Sequence, residues 1–254
     1  MEIAPGIRRL GKGLVNVYLL EEAGTVTIID AGAPGYWKDL QAELAAMGRT
    51  PDDVRALLLT HAHSDHVGFA ERIRRERGVP VNVHPDDAAL ARGEVKAVRD
   101  EHGPGYRGWS VRAIAGFAVF ALTHGMTKVT PIAAVGTFLD GATLDVPGAP
   151  RVIHVPGHTA GSVAFHTPAR DAVFVGDALV TRNVITGRRG PHFATTFTED
   201  HRRAVASLAR LDDLAARHVL PGHGDAWSGG LGEALRAVRE SIPAELRGPA
   251  APQS

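Results

Sequence analysis

One six-residue segment of this chain concentrates side chains that can bind metal ions. His61, His63, Asp65 and His66 lie within it, directly after a short apolar run that is typical of a buried strand. In an extended backbone alternate side chains share a face, so His61 and His63 can approach one ion. The turning chain then directs Asp65 and His66 toward a neighbouring position. The segment therefore predicts a loop that serves two metal ions.

Three further segments each carry one metal-ligating residue beside a glycine at the end of an apolar run. These residues are His158 after Gly157, Asp177 after Gly176, and His223 after Gly222. Glycine lets the backbone turn sharply or approach a site closely. The chain has no cysteine, so imidazole and carboxylate groups must hold any metal. This donor set suits zinc and also accepts manganese, iron or cobalt.

Strands and helices are expected to alternate around these segments, because the spacing of apolar residues changes between an extended and a helical pattern. The expected strands are 14–20, 25–29, 54–59, 79–83, 143–146, 151–155, 162–166, 172–175 and 219–220. The expected helices are 37–47, 69–77, 199–217 and 231–241. The metal-ligating segments fall at the ends of strands in this scheme.

Residues 85–135 interrupt the alternation and are expected to form a helical insertion. Its apolar run, 114–122, is too short to span a bilayer. Leaving the run in water would cost about 25 cal/mol per Å² of apolar surface. Because both ends of the insertion lie beside metal-ligating segments, we expect it to cover the metal cleft. Phe117 and Phe120, three positions apart on a helix, would offer an apolar surface to substrate, or would only fill the core.

The composition limits the expected partners and location. Lys plus Arg equals Asp plus Glu at 28 each, so no overall charge favours nucleic acid or an anionic membrane. The first residues lack the apolar run of a signal peptide, and no apolar stretch reaches the length of a membrane span. We expect a cytoplasmic monomer or homodimer that acts on a small molecule. One domain is expected over 1–242, followed by a disordered tail over 243–254.

The order of these motifs resembles that of the metallo-β-lactamase superfamily. The family pattern is an aspartate after an early strand, HxHxDH, a glycine-histidine turn, a later aspartate and a final histidine. Asp30 matches the first aspartate, and the match continues to Gly224. The resemblance implies an α/β fold, a four-layer αββα sandwich with the helical insertion.

The resemblance also implies how the ligands divide between two ions. A first ion would be held by His61, His63 and His158, and a second by Asp65, His66 and His223. Asp177 would bridge two ions that lie about 3.5–4 Å apart. Asp30 would orient loops and ligands without binding metal itself. His192 is a candidate for substrate contact, because the segment after the bridging aspartate often lines the cleft in this family.

A binuclear site of this kind implies hydrolysis of a small ester, thioester or lactone. Zinc lowers the pKa of a bound water from about 15.7 to about 7, so a hydroxide shared by the two ions would attack the carbonyl. The ions would also stabilise the oxyanion. Asp65 or Asp177 would protonate the leaving group.

Several branches of the superfamily fit the chain less well. The β-lactamases generally lack an aspartate at the position of Asp177, and glyoxalase II has a long C-terminal glutathione-binding domain, whereas 31 residues follow His223 here. Quorum-sensing lactonases often have a tyrosine where this chain has Val180. Three alternatives to the proposed hydrolase stay open: a β-lactamase, a mononuclear iron dioxygenase acting on a persulfide, and a non-catalytic sensor.

Overall fold

The computed structural model describes residues 1–100 and 108–247. Its strands are β1 (Glu2–Ala4), β2 (Ile7–Leu10), β3 (Val17–Glu22), β4 (Thr25–Ile29), β5 (Val54–Leu58), β6 (Val81–Val83), β7 (Gly136–Thr137), β8 (Arg151–His154), β9 (Val163–Thr167), β10 (Ala172–Gly176), β11 (Val180–Arg182), β12 (Arg189–His192) and β13 (His218–Pro221). Its α-helices are α1 (Tyr36–Ala46), α2 (Ala70–Arg77), α3 (Pro85–Ala91), α4 (Val111–Thr123), α5 (His201–Ser207) and α6 (Leu231–Ser241).

Two sheets form the centre of the fold. The first has the order β1-β2-β3-β4-β5-β6-β7, with parallel pairing from β4 to β7. The second has the order β13-β10-β9-β8, in which β10 and β13 are parallel and β8 and β9 run antiparallel. A two-stranded ribbon of β11 and β12 lies apart from both sheets.

Three apolar cores separate four layers. Alternate residues of a strand point to opposite faces, and Leu19 of β3 packs with α1 to α4 while its neighbours Tyr18 and Leu20 face the second sheet. In β10, Phe174 faces the first sheet and Val173 packs toward α5 and α6. The expected αββα sandwich is therefore confirmed. Within the described part of the chain, no helix is long and apolar enough to cross a membrane.

The carboxyl ends of five strands meet at one edge of the sandwich. Strands β4 and β5 are parallel, β10 and β13 are parallel, and β8 runs in the same direction as β10 because β9 is antiparallel to both. Each of these strands is followed within four residues by one of Asp30, His61, His158, Asp177 and His223. The topology therefore gathers these side chains.

Two of the expected elements differ from the structure. Residues 143–146 make only one isolated bridge, from Thr143 to Arg151, and not a strand. The helix expected over 199–217 is limited to α5 and a 3-10 turn, Leu208–Leu211. The Ser207 hydroxyl donates to the carbonyl of Ala204 there, which competes with helical bonding.

The C-terminal tail also differs in its first residues from the disorder expected over 243–254. Ala244–Leu246 forms a 3-10 turn, and Leu246 packs in the core between the second sheet and α6. Residues 248–254 of the expected tail, and residues 101–107 of the insertion, lie outside the described residues.

Candidate metal centre

The seven ligand-type residues predicted from the sequence converge on one cluster. The cluster contains three overlapping groups, and within each group the potential ligand atoms all lie within 4.8 Å of one another. The groups are His61, His63 and His158; His61, His66 and Asp177; and Asp65, His66 and His223. Asp177 reaches both sides of the cluster, with Oδ2 3.5 Å from His158 Nε2 and 3.1 Å from His223 Nε2. These distances place Asp177 between the two expected groups.

Several buried atoms of the cluster lack a hydrogen-bond partner. They are Nε2 of His61, Nε2 of His66 and Oδ1 of Asp177. A buried polar atom without a partner costs about 1–3 kcal/mol, so native proteins rarely keep several together without a ligand. Five imidazoles and two carboxylates without sulfur form a donor set for divalent ions of the zinc, manganese or iron type. The residues present therefore fit a metal site.

Hydrogen bonds on the outer side of the rings direct the remaining nitrogens inward. The Nδ1 of His66 lies 2.9 Å from Asp30 Oδ2, that of His158 lies 3.1 Å from Thr198 Oγ1, and that of His223 donates to the carbonyl of Leu14. Each bond fixes the ring and leaves Nε2 for a ligand.

Asp30 joins the ligand loop to the first sheet. Its carboxylate accepts hydrogen bonds from the backbone N–H of Thr60 at 2.7 Å and from the Thr60 hydroxyl at 2.8 Å. The same carboxylate holds His66. Asp30 is 2% exposed, so it lies behind the cluster and positions the loop.

Glycine is required at position 222 because the loop before His223 crosses directly over the cluster. A Cβ atom added to Gly222 would lie 2.3 Å from Asp177 Oδ1 and 2.6 Å from His66 Cε1. Contacts this short force the side chains apart. The glycine thus permits the backbone to pack against two ligands.

Asp87 is a site residue that the sequence did not indicate. It is 1% exposed and accepts hydrogen bonds from Ala62 N at 2.8 Å, Gly161 N at 2.7 Å and the Thr159 hydroxyl at 2.8 Å. One carboxylate thereby fastens the loop of His61 and His63 to the turn of His158. Its sequence signal, an acidic residue in the first turn of α3, is common to many helices.

The three predicted pocket residues lie in different places. Phe117 lines a cavity beside the cluster. Phe120 is instead 6% exposed and packs against Tyr36 and His124, so its expected pocket role is wrong. His192 also does not reach the cleft, because it ends β12 and lines a separate cavity with Arg188.

The histidines of the cluster fall into two sets, one with lowered and one with raised pKa values. Burial lowers the pKa of His158 to about 3 and, with the neighbouring imidazoles, holds that of His61 well below its usual value. Burial also tends to lower the pKa of His66, but the carboxylates of Asp30 and Asp65 outweigh this effect and raise the pKa to about 9. The pKa of His223 is raised well above its usual value because Asp177 and Asp65 outweigh the effect of burial.

The pKa values of the two carboxylates within the cluster are lowered, whereas those of His66 and His223 are raised. Burial raises the pKa of Asp65 and of Asp177, but nearby imidazoles, His66 and His223 in both cases, outweigh it and hold both values well below the usual range. Both groups are thus anionic at neutral pH. They are available as metal ligands without the loss of a proton.

The raised pKa values of His66 and His223 predict that the second ion binds with release of protons. At pH 7 the metal-free protein holds a proton on His66, because its pKa is about 9. An ion must displace that proton, so its affinity should rise with pH up to about 9. His61 and His158 are already unprotonated at pH 7, so they should bind the first ion at lower pH. We expect the affinity for the second ion to fall more steeply than the affinity for the first as the pH is lowered from 8.5 to 6.

Titration calorimetry in two buffers of different ionisation enthalpy measures both the stoichiometry and the number of protons released. Equal pH dependence of the two binding steps would contradict the assignment of the protonated set to the second ion.

Comparisons with known proteins agree with this geometry. A family model described as the metallo-beta-lactamase superfamily matches residues 10–223, and the chain belongs to this superfamily. In Bacillus subtilis (strain 168), the uncharacterized protein YobT is 30% identical over 218 residues, 83% of each chain. The probable metallo-hydrolase YflN of the same strain is 25% identical over 240 residues, 90% of this chain and 87% of YflN.

Solved structures also resemble the chain. The crystal structure of TTHA1623 in a di-iron-bound form is 28% identical, with a TM-score of 0.60 over 91% of this chain and 98% of that one. Members of the superfamily are generally metal-dependent hydrolases, and the cluster of histidines and aspartates described above supports metal binding in this chain.

Proposed function

We propose that the protein is a binuclear metal-dependent hydrolase that cleaves a small ester, thioester or lactone with an apolar acyl group. The observation that carries the proposal is an apolar cavity that opens directly on the cluster of predicted metal ligands. Acyl-transfer chemistry needs both parts, a centre that activates water and a surface that holds the acyl chain.

The cavity has a volume of about 600 Å³ and reaches the cluster at His63 and Asp65. Its walls include apolar side chains from α3, α4, the segments that follow these two helices, and the chain before α5. They are Leu90, Val98, Phe117, Met126, Val129 and Phe197. A volume of this size suits a ligand of about the size of a drug molecule. Most of this lining belongs to the insertion, as expected for a substrate wall.

The proposed ligand sets are those of the two groups in the cluster, with Asp177 between them. Two divalent ions held there would supply an activated water and would polarise the substrate carbonyl. The name of the di-iron structure supports a test of iron beside zinc and manganese.

Asp65 has the position of a proton carrier for the leaving group. Its side chain is 16% exposed, against 6% for Asp177, and it lines the cavity. Because this carboxylate borders the cavity, it can accept a proton there and pass it to a leaving group. We therefore assign proton transfer to Asp65, and mainly a binding role to Asp177.

The proposal is tested with protein reconstituted separately with zinc, manganese and iron. Metal content is measured, and initial rates are compared for 4-nitrophenyl esters of two to twelve carbons, acyl thioesters, lactones, a cephalosporin and a phosphodiester. We expect two ions per chain and the highest kcat/KM for acyl substrates of intermediate length. One ion at saturation together with oxygen uptake on a persulfide would contradict the proposal and favour the dioxygenase.

Two phenylalanines of α4 provide a test of the acyl surface. Phe117→Ala is expected to raise KM for octanoyl esters about three- to tenfold and to leave acetyl esters nearly unchanged, because it removes an apolar wall of the cavity. Phe120→Ala, which removes a core side chain, is expected to lower the free energy of unfolding by about 3–5 kcal/mol. Kinetics over the ester series and chemical denaturation measure the two effects. A larger change in chain-length preference for Phe120→Ala would contradict the assignment.

A further inference from the structure

We infer that the acyl chain of the substrate ends in a carboxylate, which is bound by Lys96 in the wall of the apolar cavity. The inference rests on the proposed function and specifies its substrate class. It follows from the charges of the cavity, the anchoring of the wall and the apolar side chains that line the same cavity as Lys96 and the cluster.

The cavity carries positive charge away from the cluster. Lys96 lines it. Among the described lining residues, Asp65 is the one acidic side chain, and it belongs to the cluster. An anionic group near Lys96 is therefore attracted by the Lys96 ammonium group, and none of the described lining residues outside the cluster offers that ammonium group a carboxylate.

The wall that carries Lys96 is fastened to the metal centre. The backbone N–H of Val98 donates to the Glu199 carboxylate. The N–H of Asp100 donates to the carbonyl of Thr198 at 3.2 Å, and the Asp100 carboxylate lies 2.8 Å from His201 Nδ1. Thr198 is also the residue that holds the His158 ring. Segment 96–100 thus has a fixed position relative to the ligands.

Most of the other side chains that line the cavity are apolar. Val98, Phe117 and Met126 line the same cavity as Lys96 and the cluster residues His63 and Asp65. A substrate that matches this lining has a carbonyl for the cluster, a hydrocarbon chain for the apolar side chains and an anion for Lys96. The monoester or monothioester of a linear dicarboxylic acid has this chemistry.

The kinetic test compares two activated esters of equal length, 4-nitrophenyl octanoate and the mono-4-nitrophenyl ester of octanedioic acid. For the metal-loaded protein we expect kcat/KM to be about two- to fivefold higher for the ester with the free carboxylate, the effect of an exposed ion pair. Lys96→Gln should abolish this preference, and Lys96→Glu should reverse it. Lys128→Gln is the matched control, because Lys128 is exposed on the same insertion but does not line the cavity.

Binding of octanedioate and octanoate, measured by calorimetry, separates this inference from the proposed function. Loss of a dicarboxylate preference in Lys96→Gln supports the subsite even if no ester is cleaved, in which case only the hydrolase proposal fails. Ester cleavage with the same kcat/KM ratio and the same binding ratio in wild type, Lys96→Gln and Lys128→Gln overturns the inference and leaves the hydrolase proposal intact.

Discussion

The variant Asp177→Ala is expected to bind only one metal ion per chain and to lose more than about 100-fold in hydrolysis. Asp177 is the carboxylate that reaches both sides of the cluster, at 3.1 Å from His223 Nε2 and 3.5 Å from His158 Nε2. Loss of a group that merely orients a ligand already reduces metal affinity or activity about 10- to 100-fold, so the loss of a direct ligand should exceed this. Metal analysis after dialysis and initial rates on an octanoyl ester measure the two effects.

The matched control is Asp225→Ala. This carboxylate lies two residues after His223 and is 69% exposed, where it pairs with Arg9 at 3.3 Å. Its removal takes one negative charge from the same loop without touching the cluster, so two ions and nearly full activity are expected. Two tightly bound ions in Asp177→Ala would show that Asp177 is not a shared ligand.

The metal ligands could be predicted because each has a local signal. His61 to His66 are concentrated in one segment, and His158, Asp177 and His223 each follow a glycine at the end of a strand. The sandwich could be predicted for a similar reason. Strand β10, with the sequence AVFVG, is buried on both faces, which gives it a continuous apolar run.

The first two strands were not predicted because their polar residues hide the pattern. Strand β2 has the sequence IRRL, yet Arg9 is 8% exposed and its guanidinium donates to the carbonyl of Gly224 at 3.2 Å. From the sequence alone, a buried arginine of this kind is assigned to the surface. Its partner is more than 200 residues away and leaves no local trace.

Side-chain direction limited the prediction of the pocket. Phe117 and Phe120 were assigned to one helical face by their spacing, but one lines the cavity and the other packs in the core. His192 was placed by its order after Asp177. The ribbon of β11 and β12 carries it away, and its ring turns toward the carbonyl of Gly190. Spacing and order alone do not determine such directions.

Asp87 is the largest omission, because its three hydrogen-bond donors lie 25, 72 and 74 residues away along the chain. We expect Asp87→Asn to weaken metal binding by the group of His61, His63 and His158 about 10- to 100-fold. Either orientation of the new carboxamide sets an NH₂ group against the N–H of Ala62 or of Gly161. The resulting unsatisfied donor should also lower the free energy of unfolding by about 1–3 kcal/mol.

The measurements distinguish a positioning role from a purely structural one. Asp171→Asn is the control, since Asp171 also accepts a backbone N–H from a distant segment, that of Arg217 at 2.8 Å, but lies away from the cluster. Denaturation of the metal-free proteins compares stability, and chelator competition compares the affinity for each ion. The second ion should be less affected by Asp87→Asn, because Asp30 and the carbonyl of Leu14 hold His66 and His223 independently. If Asp87→Asn lowers stability but leaves the affinity for the first ion as high as in Asp171→Asn, then Asp87 supports the fold without positioning the ligands.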